Sequence, residues 1–580
     1  MKIIITLGHN ASAVGLTNKG KLIAGYEEER LSGKKADSNF PRNAISKLLQ
    51  VADNEEFERE NTLYVSHWFD DFNFDENKTA KEKHWDYNYI RNLKELYGFK
   101  IVKLNEEFTH HDAHAYAANS FYKQHGGDRK HRHIFVADGF GNKQEVISVY
   151  KVNQDGEPIK TNSFYGYEKS LGLMYQYATS FVGMEENKDE YKLLGYESDI
   201  KDILESPERK ELINDILNYA SNCSAFIYNT EINIEPSKDG EINIDELKLV
   251  KEQWHRKFQM YVNRYIRKKD FENFERAKRI LIGFVVQKLI ENITIDLIRR
   301  ERIRNVTLVG GIFYNVKLNN KIMNQCQEIC VYPLAGDQGA GIGLYEYSTG
   351  QQFPFDNLFF GKRKFDPETV NSIKKFSNLD NMKYFDDRQA FIDYTVDKLN
   401  QNEIVQIVSG DMEFGPRALC HTSTLSLPEA NNVALINKIN GRSTVMPMAP
   451  IILRENINDV YEERQTKKVI GSDKYMILTY DYLDKFVEEN KDDYRGVMHN
   501  YPLMNKYSGR PQIVEEGDGF IYDILSRVNS KALINTSYNI HGHPIAYDIE
   551  DVVRDYKKQL MNKSEENVDK EIHLLVANFK

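Results

Sequence analysis

The sequence predicts an α/β protein with a duplicated N-terminal lobe and a separate C-terminal α/β unit. Three observations carry this. The first thirty residues read as a strand meander: IIITLG is an apolar strand, SAVGLT follows, and the turn NKG leads into KLIAGYEEE. The same order returns at 133–165, where HIFVADGFG ends in Asp-Gly, EVISVYKV follows, and the turn QDGE leads into PIKTNSFYGY. Short β-rich runs separated by Asn/Gly turns are the hairpin signal. Third, periodicity gives way to Pro, Gly and aromatics near 350–365, after which a fresh helix (388–400) and the strand EIVQIV begin.

A repeated strand, Gly-rich loop, strand, tight turn and strand is the pattern of the actin-like (ASKHA) nucleotide fold, in which two βββαβα lobes face each other across a cleft. The expected units are 1–352 and 353–580, with a mostly helical insert at about 201–275. RAKRILIGFVVQKLIENITIDLIRR (276–300) carries apolar residues at helical spacing. It leads into the strand NVTLV and then Gly310-Gly311, and ICVYPL runs into a second Gly-rich loop at 335–341.

Composition narrows the class. At ~100–200 residues per domain, 580 residues make two large or three ordinary units. Hydrophobic residues at 41% and charged residues at 28% exclude a disordered or fibrous chain. The charge sum, 77 − 87 = −10, leaves no global basic footprint for nucleic acid. No apolar run reaches the ~20 residues of a membrane span, and the N-terminus reads as a strand rather than a signal peptide. Four cysteines do not make a disulfide framework. A cytoplasmic protein is expected. There is no P-loop, no GxSxG elbow, no HExxH and no zinc finger.

Three sets of residues point to chemistry. His110 and His114 stand four apart, so a helix presents both imidazoles on one side, where they can share a metal. Asp138 ends one strand and Asp337 sits in the loop after another; facing a cleft, they complete a His2Asp2 set, while as turn caps they do nothing more. A metal there would grip nucleotide phosphates or polarise a carbonyl. Gly139, Gly141, Gly310, Gly311 and Gly336 form loops at strand ends, where backbone N–H groups approach phosphate oxygens closely. In the C-terminal unit, Arg417 lies in GDMEFGPRAL, Lys438 and Arg442 follow, Arg510 opens RPQ, and Asn535 and Ser537 sit in LINTSYN. Arginines bind phosphate bidentately and amides and hydroxyls hold the rest of an anion; the plain alternative is surface salt bridging.

At these residues the chain resembles the O-carbamoyltransferases of the nodulation-factor, cephalosporin and tobramycin type. GHNASAV, EEERLSGKKADSNFP (27–41), HHDAHAYAA, EYKLLG, GGIFYNVKLN, GDMEFGPRAL, RPQ and NTSYNIHGHPI appear in the family's order, over about residues 3–555. The resemblance implies an actin-like N-terminal domain holding adenylate and a metal, commonly Fe2+, and a YrdC-like C-terminal domain. ATP and carbamoyl phosphate, with Mg2+ a further expected ion, would give carbamoyl-adenylate there, and an acceptor hydroxyl would take the carbamoyl group in the N-terminal domain. On this reading His110, His114, Asp138 and Asp337 match metal ligands. Gly139, Gly141, Gly310, Gly311, Asn315 and Gly336 match the adenylate cradle. Arg417, Lys438, Arg442, Arg510, Asn535 and Ser537 match the carbamoyl phosphate/ATP pocket. His9, as base, Asn10 and Lys35 match the cleft near the transferring carbonyl. Homodimers occur in the family.

The chain departs from the family pattern, and in the C-terminal unit the departures remove positive charge. Asn10 replaces an Asp, Ala36 a His, Asp411 an Arg, and Cys420-His421-Thr422 a Gly-x-Arg; Asn440 and Met446 replace a Lys and an Arg. An alternative is therefore a nucleotide-binding actin-like module with a degenerate second domain; a tRNA threonylcarbamoyl-type enzyme is another. The acceptor stays open between a hydroxymethylated pyrimidine in DNA, such as 5-hydroxymethylcytosine, as in phage-type relatives acting in host cytoplasm, and a sugar or small-molecule hydroxyl. The basic stretches 123–133 and 264–279 favour the first, with a solvated charged surface as the plain alternative.

Overall fold

The computed structural model describes residues 1–52, 61–67, 87–128, 131–229, 242–442, 448–501, 506–565 and 569–579. Two five-stranded sheets share one topology. In the first, β1 (Lys2–Thr6) is central; β2 (Ser12–Leu16) pairs with it antiparallel and carries β3 (Leu22–Glu27), while β4 (Asn61–Val65) pairs with it parallel and carries β5 (Phe99–Lys103). The second repeats the order around β6 (His133–Ala137), with β7 (Glu145–Val152) and β8 (Pro158–Tyr165) on the antiparallel side and β9 (Asn305–Val309) and β10 (Glu328–Val331) on the parallel side. The duplicated actin-like lobe expected from the two meanders is what the chain builds. Strand burial is continuous (Ile3, Ile4, Ile5; Ile134, Phe135, Val136) because helices cover the sheets.

The helices that follow the parallel strands put chemistry at the cleft. The helix His110–Gln124 comes after β5, and the helix Asp337–Thr349 after β10. They pack so closely that a Cβ on Gly343 would lie 1.9 Å from the Ala113 carbonyl oxygen. Gly343 therefore sets the separation of the two helices whose first residues are His110 and Asp337. The expected helical insert contains Ser206–Asn229 and Ile244–Tyr265, and the long helix Phe274–Arg300 buries Ile280, Phe284, Leu289 and Ile293 under the second lobe.

The C-terminal sheet is mixed. Its strands are β11 (Met382–Phe385), β12 (Ile404–Ser409), β13 (Thr422–Ser426), β14 (Ala449–Leu453), β18 (Gln512–Val514), β19 (Ala532–Ser537) and β20 (Ile572–Ala577), in the order β11-β20-β12-β13-β19-β14-β18. A small sheet of β15 (Tyr480–Asp481), β16 (His499–Tyr501) and β17 (Lys506–Gly509) flanks it. The stretch 353–365 is a packed strap. Phe353, Phe355, Leu358 and Phe360 are buried. Gly25 N–H donates to the Phe360 carbonyl at 2.8 Å, and Gly361 and Met412 exchange backbone bonds at 3.0 and 2.7 Å. The strap thus stitches β3 to the loop at 410–419.

Gly343→Ala is expected to cost about 3 kcal/mol of unfolding free energy, since the atom it strikes is backbone that cannot swing away. Denaturant unfolding of the variant measures this.

Candidate active site

The front of the site is built at the first turn of the His110–Gln124 helix. Thr109 caps it: its hydroxyl accepts from Asp112 N–H, and Asp112 in turn accepts from Thr109 N–H at 2.8 Å. One helical turn then separates His110 from His114, and their Nε2 atoms lie 3.1 Å apart. Asp138, just past β6, places Oδ2 at 3.1 Å from His110 and 3.4 Å from His114. Asp337 places Oδ1 at 3.2 and 3.7 Å from the same two nitrogens. The four donor atoms lie within 4.8 Å of one another. The other Asp138 oxygen accepts the Gly311 N–H at 3.2 Å, tying the loop after β9 to the cluster. Both imidazoles are buried.

Burial disfavours a charged His110, but bonds to Asp138 and Asp337 outweigh it and push its pKa up to about 10. Burial also opposes ionisation of Asp138; its bonds to the two histidines prevail and hold it well below the usual carboxylate range. Two imidazole nitrogens facing one another among two carboxylates therefore favour a positive charge between them. Two nitrogens and two oxygens suit a first-row divalent metal such as Fe2+, and suit Mg2+ poorly, since that ion takes oxygen ligands.

A cavity of about 1560 Å³ runs back from this cluster into the C-terminal unit. His9, Asn10, His110, Asp138 and Asp337 line its front, with Gly139, Gly311, Gly336 and Asn315; Lys35 follows; Arg417, Arg442, Arg510, Asn535 and Ser537 line its rear. His9 sits after Gly8 and before Asn10, both at positive φ (85° and 60°), a tight loop at the end of β1 matching the Asp138-Gly139 loop at the end of β6. Burial lowers the pKa of His9 although Asp337, Glu29 and Asp138 oppose it, which keeps the imidazole neutral and able to accept a proton. Lys35 is likewise lowered, first by burial.

The rear has an unusual charge arrangement. Among the described residues, Arg417, Arg442 and Arg510 have no carboxylate within 4.0 Å. Arg442 instead donates to Thr536 Oγ1 at 3.2 Å and Ser537 Oγ at 3.5 Å. The Arg417 Nε is buried without a partner. Burial and then the neighbouring Arg417 push the Arg510 pKa down. Guanidiniums gathered without counter-ions form an anion site.

Two expectations need correction. Gly141 and Gly310 do not line the cavity: the Gly141 N–H goes to the Glu145 carbonyl at 2.6 Å, and Gly310 packs against β6, where a Cβ would lie 2.0 Å from the Ala137 oxygen. Their role is close packing. Lys438 is exposed, whereas its neighbour Asn437 is buried and lines the wall. Asn315 lines the cavity, but its amide caps the next helix at Leu318 (3.0 Å) and pairs with Gln287 (2.7 Å).

Sequence reasoning missed the residue that joins the halves. Arg30, 5% exposed, donates to Glu27 Oε2 at 3.0 Å, to Glu29 Oε1 at 2.7 Å and to the Gly415 carbonyl at 2.9 Å. Glu29 Oε2 accepts the Ala36 N–H at 2.7 Å, beside Lys35; Glu27 accepts the Gly415 N–H at 3.1 Å, two residues before Arg417. The signal was present in the run EEER, which opens the family-like stretch 27–41. Glu413 shapes the same rear loop by accepting the N–H groups of Leu419, His421 and Thr422 at 2.8–2.9 Å.

Residues 51–344 match the family model described as carbamoyltransferase N-terminus, and residues 396–564 match carbamoyltransferase C-terminus. This chain belongs to the carbamoyltransferase family. It is 26% identical to the uncharacterized protein MJ1051 of Methanocaldococcus jannaschii, covering 95% of each chain. It is 23% identical to the nodulation protein NolNO of Sinorhizobium fredii, covering 94% of this chain and 76% of that one. Against solved structures, the activator of 2-hydroxyisocaproyl-CoA dehydratase from Clostridium difficile, with bound ADPNP, gives a TM-score of 0.29 at 13% identity over 60% of this chain and 94% of that one. The fold assignment rests instead on the sheet topology.

Of the departures of this carbamoyltransferase, Asn10 and Ala36 line the cavity, while Asp411, His421 and Asn440 do not. Asp411 pairs with Lys362 at 2.5 Å. His421 stacks on Phe359 with ring centroids 3.7 Å apart and directs Nδ1 to the Asp411 carbonyl. Asn440 is buried and accepts from Gln559 at 2.8 Å; Met446 lies outside the described residues. The rear keeps Arg417, Arg442 and Arg510 on its wall. Among the described residues no helix is long and apolar enough to cross a membrane.

Two outcomes are expected. His114→Ala should lose divalent-metal retention in elemental analysis of purified protein. Arg30→Met should leave Glu27 and Glu29 buried without their cation, lowering unfolding free energy by about 3–5 kcal/mol; chemical denaturation reads it.

Proposed function

We propose that this carbamoyltransferase is ATP-dependent and transfers a carbamoyl group from carbamoyl phosphate to an alcohol through carbamoyl-adenylate. The observation that carries the reading is the single cavity bounded by unpaired arginines at one end and the His2Asp2 cluster at the other. We also take 1–352 and 353–580 as its two working units.

Carbamoyl phosphate and ATP are both polyanions. Arg417, Arg442 and Arg510, with Asn535 and Ser537, gather them and offset their mutual repulsion. Water displaces phosphate from carbamoyl phosphate, leaving carbamate. A carbamate oxygen then attacks the α-phosphorus of ATP, and pyrophosphate leaves. Carbamoyl-adenylate passes forward within the cavity, shielded from bulk water. At the front, Gly139, where a Cβ would meet nothing within 4 Å, leaves room for the adenylate to approach the backbone beside Gly311 and Gly336. His9 takes the proton as the acceptor oxygen bonds to the carbamoyl carbon. The carbon–oxygen bond to the phosphate breaks, and AMP leaves with the electron pair. Lys35 lies where it can stabilise charge developing on oxygen. His110, His114, Asp138 and Asp337 would hold a divalent metal such as Fe2+, which supplies Lewis-acid charge stabilisation when bound.

The protein incubated with ATP, labelled pyrophosphate and carbamoyl phosphate should return label to ATP only when carbamoyl phosphate is present. Arg510→Ala should cut that exchange by about 10–100-fold, the worth of a charged hydrogen bond. Exchange that ignores carbamoyl phosphate would refute the proposal.

A further inference from the structure

We propose that Lys160 is a positioning residue for the metal-ligand turn. From the second lobe it clamps the first turn of the helix His110–Gln124 to the loop carrying Asp138, and so sets the ligand geometry of the His2Asp2 cluster. This rests on the metal reading of that cluster and not on the identity of the transferred group.

Lys160 lies on β8, opposite Tyr150 on β7. Its side chain crosses to the helix N-terminus. There the ammonium donates to Thr109 Oγ1 at 3.0 Å and meets Asp112 Oδ1 at 3.2 Å and Glu145 Oε1 at 3.0 Å. An ammonium has three donors, and these acceptors engage all of them. Burial disfavours the charge on Lys160, but Glu145 and Asp112 outweigh it and raise the pKa. Lys160 is therefore charged at neutral pH.

Its three partners are the points that locate the cluster. Thr109 is the cap immediately before His110, and Asp112 completes the capping box. Glu145, 1% exposed, ends the loop that begins at Asp138, and its carbonyl accepts the Gly141 N–H at 2.6 Å. Within that loop, Asn142 Oδ1 accepts the His110 N–H at 2.8 Å. Lys160 thus joins the turn carrying two histidines to the loop carrying one aspartate.

Hydroxyls complete the clamp without supplying charge. Tyr150 donates to Asp112 Oδ1 at 2.8 Å, and Ser148 donates to Glu145 Oε1 at 2.6 Å. Thr109 Oγ1 stands 2.9 Å from Asp112 Oδ2 and 3.1 Å from Glu145 Oε2, so one hydroxyl lies between two acids. Lys160 pairs with both acids and offsets their repulsion.

Positioning through the helix matters because the usual outer partner is missing. A metal-bound imidazole ordinarily gives its second nitrogen to a carboxylate, a carbonyl or water. His114 Nδ1 is buried and, among the described residues, meets no such group. The direction of its ring follows from the helix, and Lys160 holds the helix.

The test titrates the metal-free chain with Co2+ and reads the visible absorption of the bound ion. Lys160→Met should weaken Co2+ binding about 10–100-fold, the worth of an outer partner of a metal ligand, and alter the absorption envelope. Lys160→Arg, which keeps a cation with several donors, should recover most of the lost affinity. Lys160→Met/Glu145→Gln removes an acid along with its cation, which keeps the charges balanced; binding should stay about tenfold weaker. A folded Lys160→Met or double variant with the parent's affinity and absorption overturns the inference. So does a Lys160→Arg chain as weak as Lys160→Met. So does a double variant that does not fold, which would make Lys160 a residue of folding alone. Absence of Co2+ binding in the unaltered chain would strike this inference together with the metal reading, and would leave the pyrophosphate exchange as a separate test of the function proposed above.

Discussion

Arg30 is the charge on which the arrangement turns. A buried guanidinium costs several kcal/mol to desolvate, and the chain accommodates it by closing two carboxylates and a carbonyl around it. Those partners belong to different parts of the molecule. Glu29 reaches the loop carrying Lys35, and Gly415 belongs to the loop carrying Arg417. Satisfying one buried cation therefore fixes the front of the cavity against its rear. The aromatic strap at 353–365 reinforces the same junction with backbone bonds to both sides.

Within that frame, function follows from where charge is left uncompensated. The front cluster concentrates two acids on two imidazoles, so it attracts positive charge. The rear concentrates guanidiniums without acids, so it attracts anions. Both line one cavity.

Glycine serves two ends here. At Gly343 and Gly310 the missing Cβ allows backbone to meet backbone, and the benefit is the placement of other residues. At Gly139 and Gly311 it opens the cavity wall. Sequence patterns do not separate Gly310 from Gly139 and Gly311, because all three follow an apolar strand. Asn315 is a related case: an amide in a phosphate-binding pattern that a helix N-terminus claims first.

The sequence by itself showed the duplicated meander, the break before a C-terminal α/β unit and the placing of His110 and His114 on one helix face. Apolar runs, tight turns and the four-residue spacing of two histidines are local properties, and local spacing survives folding. Only the tertiary structure decided that Asp138 and Asp337 converge on the two histidines, which glycines face the cavity, that Lys438 points outward, and that the charged run at 27–30 is buried. Each depends on what lies opposite in space, and pairing across hundreds of residues leaves no mark in the neighbouring sequence.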